Sequence, residues 1–205
     1  MKIAACSDLH WQRHYLKKLP KADILIVAGD FCTRGELMDF EKFVSWLDKY
    51  PAKHKIVVPG NHDFPLARFP DKTKQMLTDK GITLLTNAAA DVAGLKVYGC
   101  SYSEWLPGWS YMLPNNELKA MYDQIPERLD ILIMHNCPQK EPVVAGAQGS
   151  LLTLELIKRA KPKIFIGGHW HGLAGQWKCG ETDVYNVAVL DDNYDYVRGI
   201  TEITL

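Results

Sequence analysis

Five short apolar runs constrain this chain more than any other feature, because each is followed at once by a polar cluster. Runs this short and this apolar are typical of strands that lie inside a sheet covered on both faces. Helical patterns separate several of them, so the sequence predicts an α/β fold. The runs are Ile3 to Cys6, Ile24 to Ala28, Lys55 to Val58, Ile131 to Met134 and Ile164 to Ile166.

Apolar residues repeat with a helical period between several of these runs. In the segment from Glu36 to Tyr50 they recur at positions 40, 43, 44 and 47, which predicts an amphipathic helix. Ser150 is a suitable N-cap for a helix from Leu151 to Ala160. Neither a repeat nor a linker interrupts the pattern, and we expect one domain over 1–205. Further predicted helical segments are Tyr15 to Leu19, Asp71 to Lys80 and Asn116 to Tyr122.

The charge balance and the cysteine content limit the classes of binding partner and the cellular compartment that we expect for this chain. Twenty-four basic residues balance 24 acidic ones, so no bulk field favours an anionic membrane or duplex nucleic acid. The apolar run at Met1 to Cys6 is too short for a signal peptide, and no run has the ~18 apolar residues of a membrane helix. The five cysteines form no CxxC pair. These features favour reduced thiols and a cytoplasmic location.

The polar clusters at the strand ends contain the residue types of a metal site. Open α/β sheets bind ligands at the carboxyl ends of their strands, where the loops converge. Five of the seven histidines lie in these clusters. Singly, each cluster is typical of a turn or of a packed core histidine, but their repetition at successive strand ends favours a shared site. The clusters are Asp8-x-His10, Gly29-Asp30, Gly60-Asn61-His62-Asp63, His135 and Gly168-His169-x-His171.

This set of ligands indicates a dinuclear centre that contains transition metals. Two metal ions ~3.5–4 Å apart need a bridging anion, and the two oxygens of a carboxylate such as Asp30 suit that role. Imidazoles favour Mn, Fe, Ni or Zn, whereas carboxylate and amide oxygens admit harder ions. We expect two divalent ions, with Mn favoured. Water bound between two such ions becomes hydroxide near neutral pH.

The order of these motifs along the chain resembles that of the calcineurin-like metallophosphoesterase superfamily. The motifs are D-x-H, GD, GNHD, H and GHxH, and they span residues 8–171. The chain looks closest to the branch of class III cyclic-nucleotide phosphodiesterases and metallophosphoesterase-domain-containing proteins. This resemblance implies a four-layer α/β/β/α sandwich of two mixed sheets. It also implies that the enzyme hydrolyses phosphoric esters.

The resemblance also implies roles for individual residues. One metal would be held by Asp8, His10, Asp30 and His171, and the other by Asp30, Asn61, His135 and His169. Asn61 and His62 would bind the phosphate. His62 would also act as a catalytic group that protonates the leaving oxygen.

The chain departs from the superfamily pattern at Thr33. Many relatives carry an acid at this position, which orients the histidine of the GNH motif, and its loss would leave His62 less firmly held. Asp63 is the neighbouring candidate for a catalytic carboxylate. It can partner His62 or can simply belong to the turn, and the sequence leaves both open.

Two other features leave alternatives open. The segment 99–116 is aromatic and irregular, and Trp105 and Trp109 could line the site as a stacking surface for a nucleobase or could pin a loop to the core. Cys137 could be a nucleophile or a small residue that shapes a tight loop, and we favour the loop.

We therefore expect a metal-dependent phosphodiesterase that acts on a small phosphate ester such as a cyclic nucleotide. A phosphomonoesterase or a single-strand nuclease of the same superfamily is the alternative, and a scaffold that has lost its metals is less favoured, because every ligand position holds a suitable residue. The sequence does not fix the oligomeric state.

Overall fold

The structure is a computed structural model that describes residues 1–16 and 18–205. Its strands alternate with helices along most of the chain, as the apolar runs predict. The strands are β1 (Lys2–Cys6), β2 (Ala22–Ala28), β3 (Ala52–Val58), β4 (Thr83–Leu84), β5 (Ala88–Val92), β6 (Leu95–Cys100), β7 (Ser103–Glu104), β8 (Met112–Leu113), β9 (Ile131–Met134), β10 (Ile164–Gly167), β11 (Gly175–Cys179), β12 (Thr182–Asn186) and β13 (Thr201–Thr204).

The helices lie close to their predicted positions. Ser150 caps α5 as predicted, since its side chain accepts a hydrogen bond from the amide of Thr153. A short helix at α2 was not predicted. The turn expected over 15–19 includes Lys17, which lies outside the described residues. The helices are α1 (Leu37–Lys49), α2 (Phe64–Arg68), α3 (Pro70–Thr78), α4 (Asn115–Asp123) and α5 (Leu151–Ala160), with 3₁₀ turns at Gln12–Tyr15 and His171–Leu173.

Two mixed sheets form the centre of the molecule. The first has the strand order β13-β1-β2-β3-β4 and is parallel except for β13. The second has the order β11-β12-β10-β9-β6-β5, with its antiparallel pairs at the two edges. Edge strands aside, the parallel strands of each sheet all end at the same side.

The sheets pack face to face, and helices cover their outer faces. Alternate residues of β1, β2 and β3 meet alternate residues of β9 and β10 in one apolar core that includes Ile26 and Ile133. The other faces of β1, β2 and β3 pack against α1 and α3, and the outer face of the second sheet packs against α4 and α5. The α/β/β/α sandwich is therefore confirmed.

The two sheets come together at the end of β1. Ser7 pairs in parallel with Ala188, which follows β12, and the Ser7 amide donates to the carbonyl of Val187 at 3.0 Å. This junction places the carboxyl ends of β1, β2 and β3 beside those of β9 and β10. Polar clusters from both sheets can therefore meet.

Within the described part of the chain, no helix is long and apolar enough to cross a membrane.

Candidate metal centre

The structure brings every predicted metal-binding side chain to the side where the parallel strands end. Asp8 and His10 follow β1, Asp30 follows β2 and Asn61 follows β3. From the second sheet, His135 follows β9, and His169 and His171 follow β10. These histidines and acids fall into groups whose ligand atoms lie within 4.8 Å of one another. The groups are Asp8, His10 and His171; His10, Asp30 and His62; and Asp30, His135 and His169.

Asp30 lies at the centre of these groups. Its Oδ2 lies 3.1 Å from His135 Nε2, 3.7 Å from His10 Nε2 and 3.9 Å from His62 Nε2. Its Oδ1 accepts a hydrogen bond from the amide of His62 at 2.8 Å. One oxygen of Asp30 therefore faces three imidazoles while the backbone fixes the other.

Backbone carbonyls orient two of the histidines. His135 Nδ1 lies 3.0 Å from the carbonyl of Ala28, and His171 Nδ1 lies 2.9 Å from that of Asp191. A carbonyl oxygen can only accept a hydrogen bond, so Nδ1 carries the hydrogen and Nε2 of each ring is left to bind a metal, an arrangement common to metal-binding histidines. His171 Nε2 then lies 3.2 Å from Asp8 Oδ1.

The surroundings of His135 Nε2 show whether the residues present fit a metal. It faces two acceptors at 3.1 Å, Asp30 Oδ2 and Asn61 Oδ1. A lone pair that faces two oxygens needs a cation or a proton between them. Burial alone would lower the pKa of His135, but the charge of Asp30 and the hydrogen bond to it outweigh burial and raise the pKa to about 10. A divalent ion would replace that proton, and the residues present therefore fit a metal.

His10 and His169 are kept neutral. Burial lowers the pKa of each ring to about 4, against the attraction of Asp30 and Asp8. Both nitrogens of His10 are buried and have no hydrogen-bond partner in the described structure. A neutral imidazole with an unused nitrogen is the form that binds a metal.

Four of the candidate ligands have a left-handed backbone. The φ angles are 56° at Asp8, 35° at His10, 53° at Asp30 and 67° at His169. Positive φ is uncommon for residues other than glycine, and such conformations cluster at functional sites. The loops after β1, β2 and β10 therefore carry local strain where the side chains converge.

Gly60 is required by close packing. A Cβ atom at this position would overlap Asp30 Oδ1 and would lie 2.8 Å from His135 Cδ2. Because glycine has no Cβ, the loop that carries Asn61 can lie directly against Asp30 and His135.

His62 is held by the backbone of the residue where the acid is missing. Its Nδ1 lies 3.1 Å from the carbonyl oxygen of Thr33. This contact places the proton on Nδ1 and leaves Nε2 facing the centre. The ring also packs edge-on against His10, with centroids 4.5 Å apart. The tautomer of His62 is therefore fixed without the carboxylate that many relatives use.

The Asp63 carboxylate is directed at backbone amides. Its Oδ2 accepts from the amides of Asp30 at 2.8 Å and Gly60 at 2.7 Å, and its Oδ1 accepts from Cys32 at 2.9 Å. Burial and the charge of Asp30 raise its pKa, and the amides act in the opposite direction. These contacts join the loop after β2 to the loop after β3. The predicted catalytic role of Asp63 remains a prediction, but its contacts are those of a supporting residue.

The structure separates the two tryptophans that were predicted to bind substrate. Trp109 packs against His62 with centroids 4.1 Å apart, and the guanidinium of Arg34 lies 4.1 Å from the same ring. Trp105 is 57% exposed, and within the described part of the chain no hydrogen bond or ring stacking joins it to the metal-site residues. Only Trp109 is placed beside the centre.

Cys137 is completely buried, and burial raises the pKa of its thiol. A thiol that stays protonated is a weak nucleophile. The interpretation as a loop residue is the one that its surroundings favour.

Several residues near the centre were not singled out from the sequence. Tyr194 packs against His10 and His171, and Glu104 accepts hydrogen bonds from Asn136 and Ser150. Asn136 follows His135 directly, which was a usable signal. Tyr194 lies 23 residues beyond His171 in a turn, and no local pattern connects the two.

A four-layer sandwich with a His, Asp and Asn cluster at its strand ends is the architecture of a metal-dependent phosphoesterase. Residues 1–173 match the sequence profile of the calcineurin-like phosphoesterases. The chain therefore belongs to the calcineurin-like phosphoesterase family.

Relatives in animals match nearly the whole chain. Human metallophosphoesterase domain-containing protein 1 is 30% identical over 226 residues, which cover 96% of this chain and 68% of the human protein. A UPF0046 protein of Caenorhabditis elegans is 29% identical over 216 residues, covering 93% of this chain and 76% of the relative. The resemblance to the metallophosphoesterase-domain-containing proteins is thus confirmed.

Solved structures agree on the fold. A protein from Thermus thermophilus superposes with a TM-score of 0.68 at 19% identity, covering 90% of this chain and 88% of that one. A structure described as a novel archaeal phosphodiesterase gives a TM-score of 0.52 at 16% identity, with full coverage of both chains. At these identities the likeness concerns the fold.

Proposed function

We propose that this chain is a dinuclear metal-dependent phosphodiesterase that hydrolyses small phosphodiesters such as cyclic nucleotides. The position of Asp30 Oδ2 carries the proposal, because this one oxygen lies within 3.9 Å of Nε2 of three histidines. A shared carboxylate between two groups of ligands is what a pair of ions requires.

The ligands divide into two sets around Asp30. Asp8, His10 and His171 would hold one ion together with Asp30, and Asn61, His135 and His169 would hold the other with it. Two divalent ions bound there, with Mn favoured, would supply Lewis-acid polarisation of the phosphate and would lower the pKa of a bound water.

His62 is the proposed catalytic residue of this chain. Its Nδ1 proton is committed to the Thr33 carbonyl, so Nε2 is the atom available to carry a proton to the leaving oxygen. The side chain is 12% exposed, which leaves it open to a substrate. Asn61 and the ring of Trp109 are the proposed neighbours of the phosphate and of its ester group.

Asp63 takes part indirectly in this proposal. Its carboxylate accepts hydrogen bonds from the amides of Asp30 and Gly60. These bonds fix the distance between Asp30 and the loop that carries His62. We assign Asp63 as a positioning residue.

The preference for a diester rests on the branch that the motifs resemble. Balanced charge, with 24 residues of each sign, disfavours a nuclease, since binding to nucleic acid relies on basic side chains. We further propose that residues 1–205 act as one domain, because the two sheets share one core. The five free, buried cysteines are consistent with a cytoplasmic location.

A substrate panel tests the proposed specificity. Chelated protein reloaded with Mn²⁺ is assayed on 3′,5′ and 2′,3′ cyclic nucleotides, bis(p-nitrophenyl) phosphate, p-nitrophenyl phosphate and a single-stranded oligonucleotide. We expect the diesters to be cleaved with a higher kcat/KM than the monoester. Faster cleavage of p-nitrophenyl phosphate would indicate a phosphomonoesterase, and preferential cleavage of the oligonucleotide would indicate a nuclease.

A further inference from the structure

His10 differs from His62, His135 and His171 in how its ring is oriented. His62, His135 and His171 each direct Nδ1 at a backbone carbonyl. His10 is buried, and neither of its ring nitrogens has a hydrogen-bond partner in the described structure. Metal-binding histidines almost always have such a partner, which fixes the plane of the ring. Something other than a hydrogen bond must therefore orient His10.

Among the described residues, three aromatic rings pack around His10. His62 lies 4.5 Å away, Tyr194 5.0 Å and His171 5.6 Å, measured between ring centroids. Two of these rings are themselves part of the site. Tyr194 is the one that comes from outside it, and it packs on His171 as well, at 5.1 Å. The interplanar angles of 68° and 71° are those of edge-to-face contacts.

Two hydrogen bonds of its own backbone hold Tyr194 in place, one made by its amide and one by its carbonyl. Its amide donates to the carbonyl of Asp191 at 2.9 Å, the same oxygen that lies 2.9 Å from His171 Nδ1. Its own carbonyl accepts a hydrogen bond from Gln12, two residues after His10, at 2.8 Å. Tyr194 also has a φ of 64°, a conformation that non-glycine residues adopt only when their surroundings impose it.

We propose that Tyr194 is a positioning residue for the metal held by Asp8, His10 and His171, and that its ring replaces the missing hydrogen bond of His10. The proposal rests on the metal centre described above. The backbone of Tyr194 is hydrogen-bonded to Gln12, two residues after His10, and to the Asp191 carbonyl that orients His171, and its ring contacts both imidazoles. The ring therefore fixes the planes of both imidazoles at once. The aromatic ring carries this role and the hydroxyl does not.

Metal binding by variants tests the proposal without any substrate. Chelated wild-type protein and Tyr194→Ala are titrated with Mn²⁺ by calorimetry, and the loaded samples are examined by electron paramagnetic resonance. We expect Tyr194→Ala to keep one ion with wild-type affinity and to bind the other about 10–100-fold more weakly, the usual effect of losing an orienting partner. The resonance of the coupled pair is then replaced by that of a single Mn²⁺.

Two further variants separate the ring from the hydroxyl and from general packing. Tyr194→Phe keeps the ring, and we expect it to bind both ions as the wild type does. Tyr185→Ala removes a half-buried tyrosine on β12, whose hydroxyl bonds Gln176 instead of the centre, and it should also leave both affinities unchanged. If Tyr194→Ala does not fold, Tyr194→Leu gives the same comparison, with the same weakening expected.

The inference is overturned if Tyr194→Ala binds both ions with wild-type affinity. It is also overturned if Tyr194→Phe weakens binding as strongly as Tyr194→Ala, since the hydroxyl would then be the active part. A wild-type chain that binds one ion or none would instead refute the proposed dinuclear centre, and this inference with it.

Discussion

At the scale of single residues, the orientation of His62 depends on a main-chain atom. Its Nδ1 lies 3.1 Å from the Thr33 carbonyl, and the Thr33 side chain is not part of that contact. The sequence pattern suggested that losing the acid at this position would loosen His62. The structure places a backbone acceptor there, and a backbone carbonyl is unaffected by a change of side chain.

Substitutions at Thr33 and His62 should therefore behave very differently. We expect Thr33→Ala to keep kcat within about twofold of the wild type. His62→Gln should lose about 10²–10⁴-fold in kcat, the usual contribution of a general acid, while binding the same number of metal ions. Steady-state kinetics on a chromogenic diester, with metal content measured on the same samples, makes the comparison.

The control for this pair is Thr33→Asp, which restores the acid of many relatives. Because the carbonyl already fixes the tautomer, we expect no gain in kcat from it. A more than tenfold loss in Thr33→Ala, or a large gain in Thr33→Asp, would show that the carbonyl does not hold His62.

At the scale of elements, a buried polar network connects the second sheet to α5. Glu104 on β7 accepts hydrogen bonds from the side chains of Asn136 and Ser150. Asn136 in turn accepts a hydrogen bond at 3.1 Å from the indole of Trp170, the residue between His169 and His171 in the sequence. One carboxylate thus joins the loop after β9, the start of α5 and the loop after β10.

Removing Glu104 should lower stability, because it leaves buried donors unpaired. We expect Glu104→Ala to reduce the free energy of unfolding of the metal-free protein by about 1–3 kcal/mol. Urea unfolding in the presence of a chelator measures the change. Glu117→Ala is the matched control, since Glu117 is exposed in the first turn of α4. A change in Glu104→Ala no larger than that of the control would contradict the role of the network.

The elements also show what the sequence can and cannot predict. Both α1 and α5 were located within a residue or so, because their apolar period and the Ser150 cap are local signals. In contrast, α2 has only five residues, with Pro65 inside it and Pro70 opening the next helix, and it is too short for a period to appear. The strand β3 begins at Ala52, three residues before the predicted start, where its side chains are partly exposed and polar.

The same limit applies to the candidate site. Polar residues directly after buried strands were recognisable, because parallel strands end at one edge. Contacts made by Tyr194, Glu104 and the Thr33 carbonyl depend on how distant loops pack. They have no signature within a short window of sequence.

At the scale of the whole molecule, the candidate ligands come from both sheets. Asp8, Asp30 and Asn61 follow strands of the first sheet, and His135 and His169 follow strands of the second. An ion bound between them would join the sheets at the junction of Ser7 and Ala188. Because the ion binds the folded chain, it should stabilise the fold by about 2.7 kcal/mol at a concentration 100 times Kd.

The stability of the metal-free protein should fall with rising pH, and bound metal should remove this dependence. Without metal, the pKa of His135 is raised to about 10 from ~6.5 in the unfolded chain. Its contribution is therefore fully present below about pH 6.5 and is lost as the pH rises towards about 10. A metal ion takes the place of that proton, so the loaded protein should not show this loss.

Thermal unfolding between pH 6.5 and 10, with chelator or with excess Mn²⁺, measures this difference. We expect the midpoint of the chelated protein to fall with rising pH and the gap between the two samples to widen. Parallel curves over this range would contradict the account of His135 and Asp30.

A metal titration coupled to an assay is the most direct test of a dinuclear phosphodiesterase. Chelated protein receives Mn²⁺ in steps, and bound metal and hydrolysis of bis(p-nitrophenyl) phosphate are measured at each step, with Asn61→Ala in parallel. We predict two ions per chain, activity that rises with the second ion, and at least about 100-fold lower activity in Asn61→Ala, since removing a ligand should cost no less than removing its orienting partner. The proposed dinuclear phosphodiesterase would be contradicted by a chain that binds neither Mn²⁺ nor Zn²⁺, or by one that binds two ions and hydrolyses no phosphate ester.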